Sequence, residues 1–268
     1  MPYLMALLVW VKNIGVSLNI GGISVSNSIA LSFQNVTKKF GGLTAVDKVN
    51  FDIHDNEVFG LIGPNGSGKT TVLDLVSGLL RLSSGKIISY DKKISGKTSA
   101  QIARRGVSRT FQLVRMLPTL SVKENIASGG VFGFRRYRRK ELDRKVNYMM
   151  SQVGLTGKGM LPVTMLTYID QKRVELARAL MSDPKIILLD EWLAGLNPTE
   201  MKIGINLISG IRYEGRTVVV VEHHMEAIRS LCDRCIVMNS GQTIAEGKPN
   251  EVLNDERVIA AYLGVGNA

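Results

Sequence analysis

Apolar and polar residues follow a regular pattern from about Leu31 onward. Short apolar stretches at 58–62 (VFGLI), 186–190 (IILLD) and 217–221 (TVVVV) are typical of buried strands. Each precedes a longer segment in which apolar residues recur at helical spacing. Because continuous apolar strands alternate with helices, we predict a parallel sheet covered by helices on both faces.

The first residues differ from this pattern. Residues 1–29 carry one charge, Lys12, and their apolar run at 3–11 is far shorter than the roughly 20 residues that span a bilayer. No basic stretch precedes the run, which argues against a secretory signal. We therefore expect an N-terminal extension outside the working domain, with a weak membrane-surface anchor as the alternative, and a cytoplasmic domain at 30–268.

Composition indicates a folded protein with an anionic neighbour. The 268 residues are 45% hydrophobic and 21% charged, which is ordinary for a globular chain. The net charge is +11, and the sequence pI is about 9.7. Such a balance favours binding of a nucleotide, a nucleic acid or an anionic membrane face.

The two cysteines, Cys232 and Cys235, exclude a disulfide framework. Their C-x-x-C spacing is compatible with zinc, but that site needs two more ligands and the chain has three histidines. We expect both cysteines to pack as small residues in a reducing compartment.

The strongest motif is GPNGSGKTT at 63–71, which fits G-x-x-x-x-G-K-[ST] and lies between a predicted strand and a predicted helix. Its glycines allow successive N–H groups to surround phosphate oxygens, Lys69 adds a fixed positive charge, and the Thr70 hydroxyl can ligate Mg²⁺. The candidate phosphate-binding residues are Gly63, Pro64, Asn65, Gly66, Ser67, Gly68, Lys69, Thr70 and Thr71.

A second element is KIILLDE at 185–191, an apolar strand that ends in two carboxylates. Asp190 lies at the strand tip, where it can hold Mg²⁺ through water, and Glu191 can orient or deprotonate an attacking water. A strand that ends in Asp-Glu is common by itself. In one parallel sheet with the loop at 63–71, it indicates a nucleoside triphosphatase.

Three more positions are weak alone but informative in their order. Gln112 ends the extended segment VSRTFQ, and His223 follows the strand at 217–221, where an imidazole can reach a γ-phosphate. Phe40 precedes the glycine loop by about two dozen residues, and its ring can stack on adenine. Taken alone, each residue could equally have an ordinary structural role: Gln112 in a solvated loop, His223 at a strand end and Phe40 in the core.

Together these motifs resemble the nucleotide-binding subunit of ABC transporters, from about residue 30 to the C-terminus. Within that superfamily, the details are similar to ATP-binding subunits of branched-chain amino acid importers. Importers of urea or other amides and lipopolysaccharide exporters have similar stretches. The supporting stretches are Phe40-Gly-Gly, GPNGSGKTT, QIARRGVSRTFQLVRMLPTLSVKENI, LTYIDQKRVELARAL, IILLDE, AGLNP, VEHH and AAYLG.

The resemblance implies a fold and an assembly. The fold is an α/β P-loop NTPase core with a mostly parallel sheet, an antiparallel β subdomain and a helical subdomain at about 113–182. Two such subunits, identical or different, sandwich two ATP molecules, and the loop at 194–197 crosses their interface. The partners are transmembrane permease subunits and, indirectly, a solute-binding protein. The subunit would lie at the cytoplasmic face of the cell membrane.

The resemblance also implies residue roles. Phe40 would stack on adenine, Gln112 would touch Mg²⁺ and report nucleotide state to the membrane subunit, and Asp190 would support the metal. Glu191 would be the general base and His223 the γ-phosphate sensor. The implied cofactors are ATP and Mg²⁺.

Two departures from the family pattern open a question. LTYID at 166–170 occupies the place of Leu-Ser-x-Gly-Gln: Thr167 keeps a hydroxyl, but Ile169 replaces a glycine. A β-branched residue adds bulk near the partner's γ-phosphate and disfavours positive φ. Trp192 follows Glu191 where proline is usual, which would shift the base. We thus expect MgATP binding here and an impaired composite site for the partner.

Two functions remain open at this point: an ATPase that energises uptake of hydrophobic amino acids, and an MgATP-dependent switch with little turnover. A nucleic-acid ATPase is a third, prompted by the charge. The basic run at 135–145 has seven basic and two acidic side chains but one aromatic, Tyr137. It is simpler to interpret as a solvated helix face near anionic lipid headgroups, so we expect no nucleic-acid partner.

Overall fold

The computed structural model describes residues 28–131 and 137–263. Most of the predicted N-terminal extension, residues 135–136 of the basic run and Gly264 lie outside the described residues. The first strand begins at Ile29, one residue before the predicted start of the domain.

The described strands form two sheets. The first sheet is antiparallel, with strand order β2-β1-β4-β5, and contains β1 (Ile29–Phe40), β2 (Leu43–His54), β4 (Ser84–Ser89) and β5 (Lys92–Lys93). The second contains β3 (Val58–Ile62), β6 (Val107–Arg109), β7 (Ile186–Asp190), β8 (Thr217–Val221), β9 (Arg234–Asn239) and β10 (Gln242–Gly247).

The second sheet has the order β10-β9-β3-β8-β7-β6. Its strands run parallel except β10, which pairs antiparallel with β9 at the edge. All residues of β3, β7 and β8 are buried, as the continuous apolar stretches predict. The predicted mostly parallel sheet and the antiparallel β sheet are both confirmed.

Helices connect the strands and pack on the second sheet. They are α1 (Lys69–Val76), α2 (Ser99–Ala103), α3 (Val122–Val131), α4 (Arg139–Gln152), α5 (Tyr168–Leu180), α6 (Pro198–Tyr213), α7 (Met225–Leu231), α8 (Pro249–Val252) and α9 (Glu256–Leu263), with a 3₁₀ turn at Val163–Met165. Between β6 and β7 the described elements are all helical, in agreement with the predicted helical insert. The exact limits of that subdomain remain a prediction.

Both faces of the second sheet are covered by apolar side chains. Along β7, Ile187 and Leu189 pack with the helices of the insert, whereas Ile186 and Leu188 pack toward the antiparallel sheet. This alternation follows from the period of two in a strand. Full burial of such side chains stabilises the fold by about 1.5–3 kcal/mol each, so the sheet is a stable platform for the site.

The cysteines pack in this platform. Cys232 and Cys235 are free and buried, and burial raises the pKa of both thiols, that of Cys235 to about 11. A Cβ at Gly60 would lie 3.0 Å from the Cys235 Cβ. Both cysteines therefore pack as small buried side chains. Among the described residues no group of three or more His, Cys, Asp or Glu side chains could hold a metal ion.

Polar side chains gather where the parallel strands end. The carboxyl ends of β3, β6, β7 and β8 lead directly into the segments predicted to carry chemistry. Ligands of open α/β sheets bind at this edge. Within 28–131 and 137–263, no helix is long and apolar enough to cross a membrane.

Candidate functional site

The loop at 63–71 adopts backbone angles that only glycine tolerates at two positions. Gly63 has φ +146°, and a Cβ there would lie 2.1 Å from the Met238 carbonyl oxygen. Gly68 has φ +104°, and its Cβ would lie 2.5 Å from the Ala45 carbonyl oxygen. The two glycines therefore let the loop pack tightly on its neighbours while its N–H groups turn toward the ligand space.

Lys69 is the first residue of α1 and is almost fully buried. Its Nζ donates to the carbonyl oxygens of Gly63 at 2.8 Å and Pro64 at 2.9 Å, which holds the charge at the loop. Burial lowers the pKa of Lys69, and the nearby Glu191 and Asp190 carboxylates oppose that change. Positive charge and the amino end of α1 thus converge on one point, as phosphate binding requires.

Two buried polar atoms at this point lack a protein partner. The Ser67 Oγ and the Asp190 Oδ1 are inaccessible to solvent and make no hydrogen bond among the described residues. Buried polar atoms are normally satisfied, so these two atoms are available to bond a ligand. Thr70 is exposed beside them. A nucleotide phosphate and a Mg²⁺ ion that keeps several waters fit these donors and acceptors.

Asp190 is held by Arg109, a residue that the sequence reasoning missed. Arg109 donates to Asp190 Oδ2 at 2.7 Å and to Asp74 Oδ1 at 2.5 Å. Burial raises the pKa of Asp190, and the Arg109 guanidinium partly counteracts this. The arginine occupies one carboxylate oxygen, and the other, Oδ1, makes no hydrogen bond among the described residues.

The three predicted catalytic side chains meet. Gln112 Nε2 donates to Glu191 Oε2 at 2.8 Å, and His223 Nε2 lies 2.9 Å from Glu191 Oε1. The Glu191 backbone has φ +47°, an uncommon conformation for a residue with a side chain. The ends of β6, β7 and β8 therefore fix both oxygens of one carboxylate.

The Gln112 segment is anchored to α5. Glu175 of α5 accepts weak hydrogen bonds from the backbone N–H groups of Phe111 at 3.4 Å and Arg115 at 3.5 Å. Burial raises the pKa of Glu175. This contact ties a site residue to the helical insert.

The structure corrects the backbone expected at Ile169. Helix α5 begins at Tyr168, because Thr167 caps it by accepting the Asp170 N–H at 3.4 Å. Ile169 therefore lies in the first helical turn at negative φ, and its side chain is buried in the core. The backbone at Ile169 therefore needs no positive φ, whereas the predicted impairment of the partner's composite site stays a prediction.

Trp192 is the second departure from the family pattern. It is fully buried, and its Nε1 donates to the Lys172 carbonyl oxygen at 3.3 Å. The Glu191 carboxylate nevertheless contacts Gln112 and His223. The indole is buried in the core and the carboxylate still reaches both partners, so the effect of Trp192 on the base stays a prediction.

Phe40 lies at the end of β1 and is exposed, with Lys38 Nζ 4.7 Å from its ring centroid. An exposed ring is available for stacking, and its contact with adenine stays a prediction.

Glu222 is a second residue that the sequence reasoning missed. It precedes His223, is buried, and accepts the Leu193 N–H at 2.7 Å.

The comparisons agree with this geometry. The profile of the ABC transporter family matches residues 46–194. The chain belongs to this family and is an ATP-binding, ATP-hydrolysing subunit with the ABC ATPase fold. The profile described as branched-chain amino acid ATP-binding cassette transporter matches residues 242–268.

Individual relatives are similar over most of their length. The high-affinity branched-chain amino acid transport ATP-binding protein LivG of Escherichia coli strain K12 is 38% identical over 249 residues, 87% of this chain and 97% of LivG. BraF of Pseudomonas aeruginosa, with the same description, is 36% identical over the same shares. The ADP conformation of the ATP-binding cassette MJ1267 has a TM-score of 0.82 at 30% identity, covering 88% of this chain and 99% of that one.

Proposed function

We propose that this subunit hydrolyses MgATP with Glu191 as general base and thereby energises import of branched-chain amino acids. The observation that carries the residue roles is the Glu191 carboxylate, held by Gln112 and His223 beside Lys69. The profile match at 242–268 and the names of the relatives support the solute class.

Glu191 is placed to accept a proton from an attacking water, because general bases act over one hydrogen bond. Gln112 and His223 restrict its rotation, so the carboxylate needs little reorganisation on reaching the transition state. His223 adds a ring nitrogen that can sense a γ-phosphate. Phe40 would stack on adenine.

The residues that would hold Mg²⁺ are Asp190 through its free Oδ1, the Thr70 hydroxyl and Gln112. When bound, the ion would neutralise charge on the transferred phosphoryl group. Lys69 and the N–H groups of 63–71 would bind the phosphate oxygens. Arg109 orients Asp190 without touching the nucleotide.

Family members work with transmembrane components, and we propose the same peripheral placement at the cytoplasmic face for this chain. A second ATP-binding subunit would contact the amino end of α5. There the N–H groups of Tyr168 and Ile169 have no carbonyl within the helix to bond, and Thr167 adds a hydroxyl. Because the Ile169 side chain points into the core, this helix end stays accessible to a phosphate. A solute-binding protein would deliver the amino acid.

The test is reconstitution in liposomes with the neighbouring permease, second ATPase and solute-binding subunits. We expect ATP-dependent uptake of radiolabelled leucine and none of urea, with uptake abolished by Glu191→Gln. Uptake of urea in place of leucine would overturn the solute class. Undiminished leucine uptake with Glu191→Gln would overturn the role of that residue.

A further inference from the structure

The turn at 192–195, immediately after the proposed base, is held by hydrogen bonds from two different elements. The Leu193 N–H donates to Glu222 Oε1 at 2.7 Å, and Trp192 Nε1 donates to the Lys172 carbonyl oxygen at 3.3 Å. Trp192 and Lys172 are fully buried, and Glu222 is 1% exposed. The turn is thereby fastened to the end of β8 and to the second turn of α5.

Tyr168 adds a third contact to the same turn. A Cβ at Gly195 would lie 3.2 Å from Tyr168 Cε1, so the aromatic ring packs directly on the glycine. Gly195 has φ +77°, which favours glycine at this place. The first residue of α5 thus covers the turn from outside.

The Lys172 ammonium lies between these contacts. Its Nζ is buried, has no hydrogen-bond partner among the described residues, and lies 5.0 Å from the Tyr168 ring centroid. The ammonium also favours the ionised form of Glu222. An isolated buried charge is costly, and attraction to the ring and to the Glu222 and Glu175 carboxylates offsets its burial.

The geometry at Glu191 explains why such anchoring matters. Its left-handed backbone is unfavourable by about 1–2 kcal/mol for a residue with a side chain. The Glu191 N–H donates to the Val221 carbonyl oxygen at 2.9 Å, and the Ala194 N–H donates to the Glu191 carbonyl oxygen at 3.1 Å. Such conformations persist where the surrounding structure fixes them.

We propose that Lys172 and Glu222 are positioning residues that hold the turn at 192–195, and through it Glu191, against the first turns of α5. The amino end of α5 and the base then move as one unit. Neither residue contacts nucleotide or water in this role. The inference rests on the proposed role of Glu191.

A fluorescence measurement tests the anchoring without any turnover. The chain has two tryptophans, so in the full-length Trp10→Phe protein Trp192 is the sole reporter. Acrylamide quenching would be compared for that protein and for added Glu222→Met, Glu222→Gln and Lys172→Met substitutions. Glu57→Met is the matched control: Glu57 is a buried glutamate that accepts the His54 N–H at 2.6 Å, at the opposite end of the sheet.

We expect Glu222→Met, which removes the acceptor for Leu193, to raise the quenching constant of Trp192 roughly twofold or more. Glu222→Gln keeps an acceptor oxygen and should restore most of the protection. Lys172→Met keeps the carbonyl oxygen but removes the charge, and it should also raise quenching. Glu57→Met should leave it unchanged. Unchanged quenching in both Met variants of the cluster would overturn the inference.

Steady-state ATP hydrolysis, with the partner subunits present, completes the test. Glu222→Met and Lys172→Met should lower kcat about 10- to 100-fold with little change in KM, as expected from a misplaced catalytic group. If Glu191→Gln is inactive but both variants turn over normally, the anchoring inference is wrong and the proposed function stands. If Glu191→Gln itself turns over normally, the proposed function fails first. Lys172→Met removes a buried ammonium that has no hydrogen-bond partner among the described residues, and Glu222 can take up a proton when that charge is lost. This variant should therefore fold even if Glu222→Met does not.

Discussion

The Nε2 atom of His223 lies 2.9 Å from Oε1 of Glu191, so the ends of β7 and β8 share one polar contact. Gln112 holds the other carboxylate oxygen at 2.8 Å. We expect His223→Ala to lower kcat about 100-fold, because one support of the base and one ring nitrogen are lost. His224→Ala is the matched control, since His224 precedes α7 and makes no such contact in the described structure. Equal losses in both variants would contradict a specific role for His223.

Ile169→Gly tests whether Ile169 packs in the core or impairs the composite site. Because Ile169 is buried in the first turn of α5, removing its side chain should lower the free energy of unfolding by about 3–5 kcal/mol. It should not raise ATP turnover. Urea denaturation and steady-state hydrolysis provide the measurements. Ile169→Val, with an expected loss of about 1 kcal/mol, is the control. A gain in turnover with Ile169→Gly would restore the view that the isoleucine blocks the site.

Arg109 forms ion pairs with Asp190 and Asp74, and replacing it should lower the free energy of unfolding. Arg109→Met would leave Asp190 and Asp74 without their shared guanidinium, and it should cost about 3–5 kcal/mol. Hydrolysis should fall as well, since Asp190 loses its orientation. The control is Arg257→Met, because the Arg257 side chain is 70% exposed and its ion pair with Asp255 is therefore screened by solvent. Its unfolding curve should match that of the unchanged protein. Stability unaffected by Arg109→Met would show that the bridge contributes nothing.

Two glycines of the phosphate loop form a matched pair. Gly68→Ala places a Cβ 2.5 Å from a backbone oxygen, so the loop must move and ATP affinity should fall at least about 10-fold. Gly66→Ala meets nothing within 4 Å and adds only the strain of its φ of +78°, about 1 kcal/mol. Nucleotide titration calorimetry checks both. Equal affinity losses would argue against a steric role for Gly68.

Glu222 predicts a pH dependence of stability. Burial raises the pKa of this carboxyl from 4.5 to about 7, with Lys172 opposing the change and Glu191 adding to it. Between these values the folded chain keeps a proton that the unfolded chain releases. The protonated Glu222 therefore adds to the free energy of unfolding at low pH, and this addition is lost as pH rises through about 7. Relative to Glu222→Gln, the unchanged chain should lose about 3 kcal/mol across this window. Urea denaturation of both proteins at about pH 5 and about pH 8 measures this difference in the free energy of unfolding. A constant difference between the two proteins would contradict the raised pKa.

Local features of the chain were predictable from sequence. The glycine loop, the two carboxylates at the end of β7 and the buried strands each depend on residues adjacent in sequence. Arg109 and Glu222 were not predictable in this way. Arg109 meets Asp190 at a separation of 81 residues, and Glu222 meets Leu193 at 29. Only the sheet order brings those partners together.

Ile169 shows a different limit. The resemblance places a glycine, which tolerates positive φ, at this position. Thr167 instead caps α5, and the helix begins at the next residue, Tyr168. The first turn then follows ordinary helical geometry, and the core accommodates the side chain. Backbone conformation at one residue thus depended on a cap and on packing that a motif comparison does not contain.

The measurement that tests the central claim most directly compares ATP binding and hydrolysis by wild type and Glu191→Gln, with the partner subunits present. We expect both proteins to bind MgATP with similar affinity and the variant to hydrolyse it at least about 100-fold more slowly. A Glu191→Gln protein that binds and hydrolyses ATP like wild type would contradict the account, because the carboxylate held by Gln112 and His223 would then not be the base.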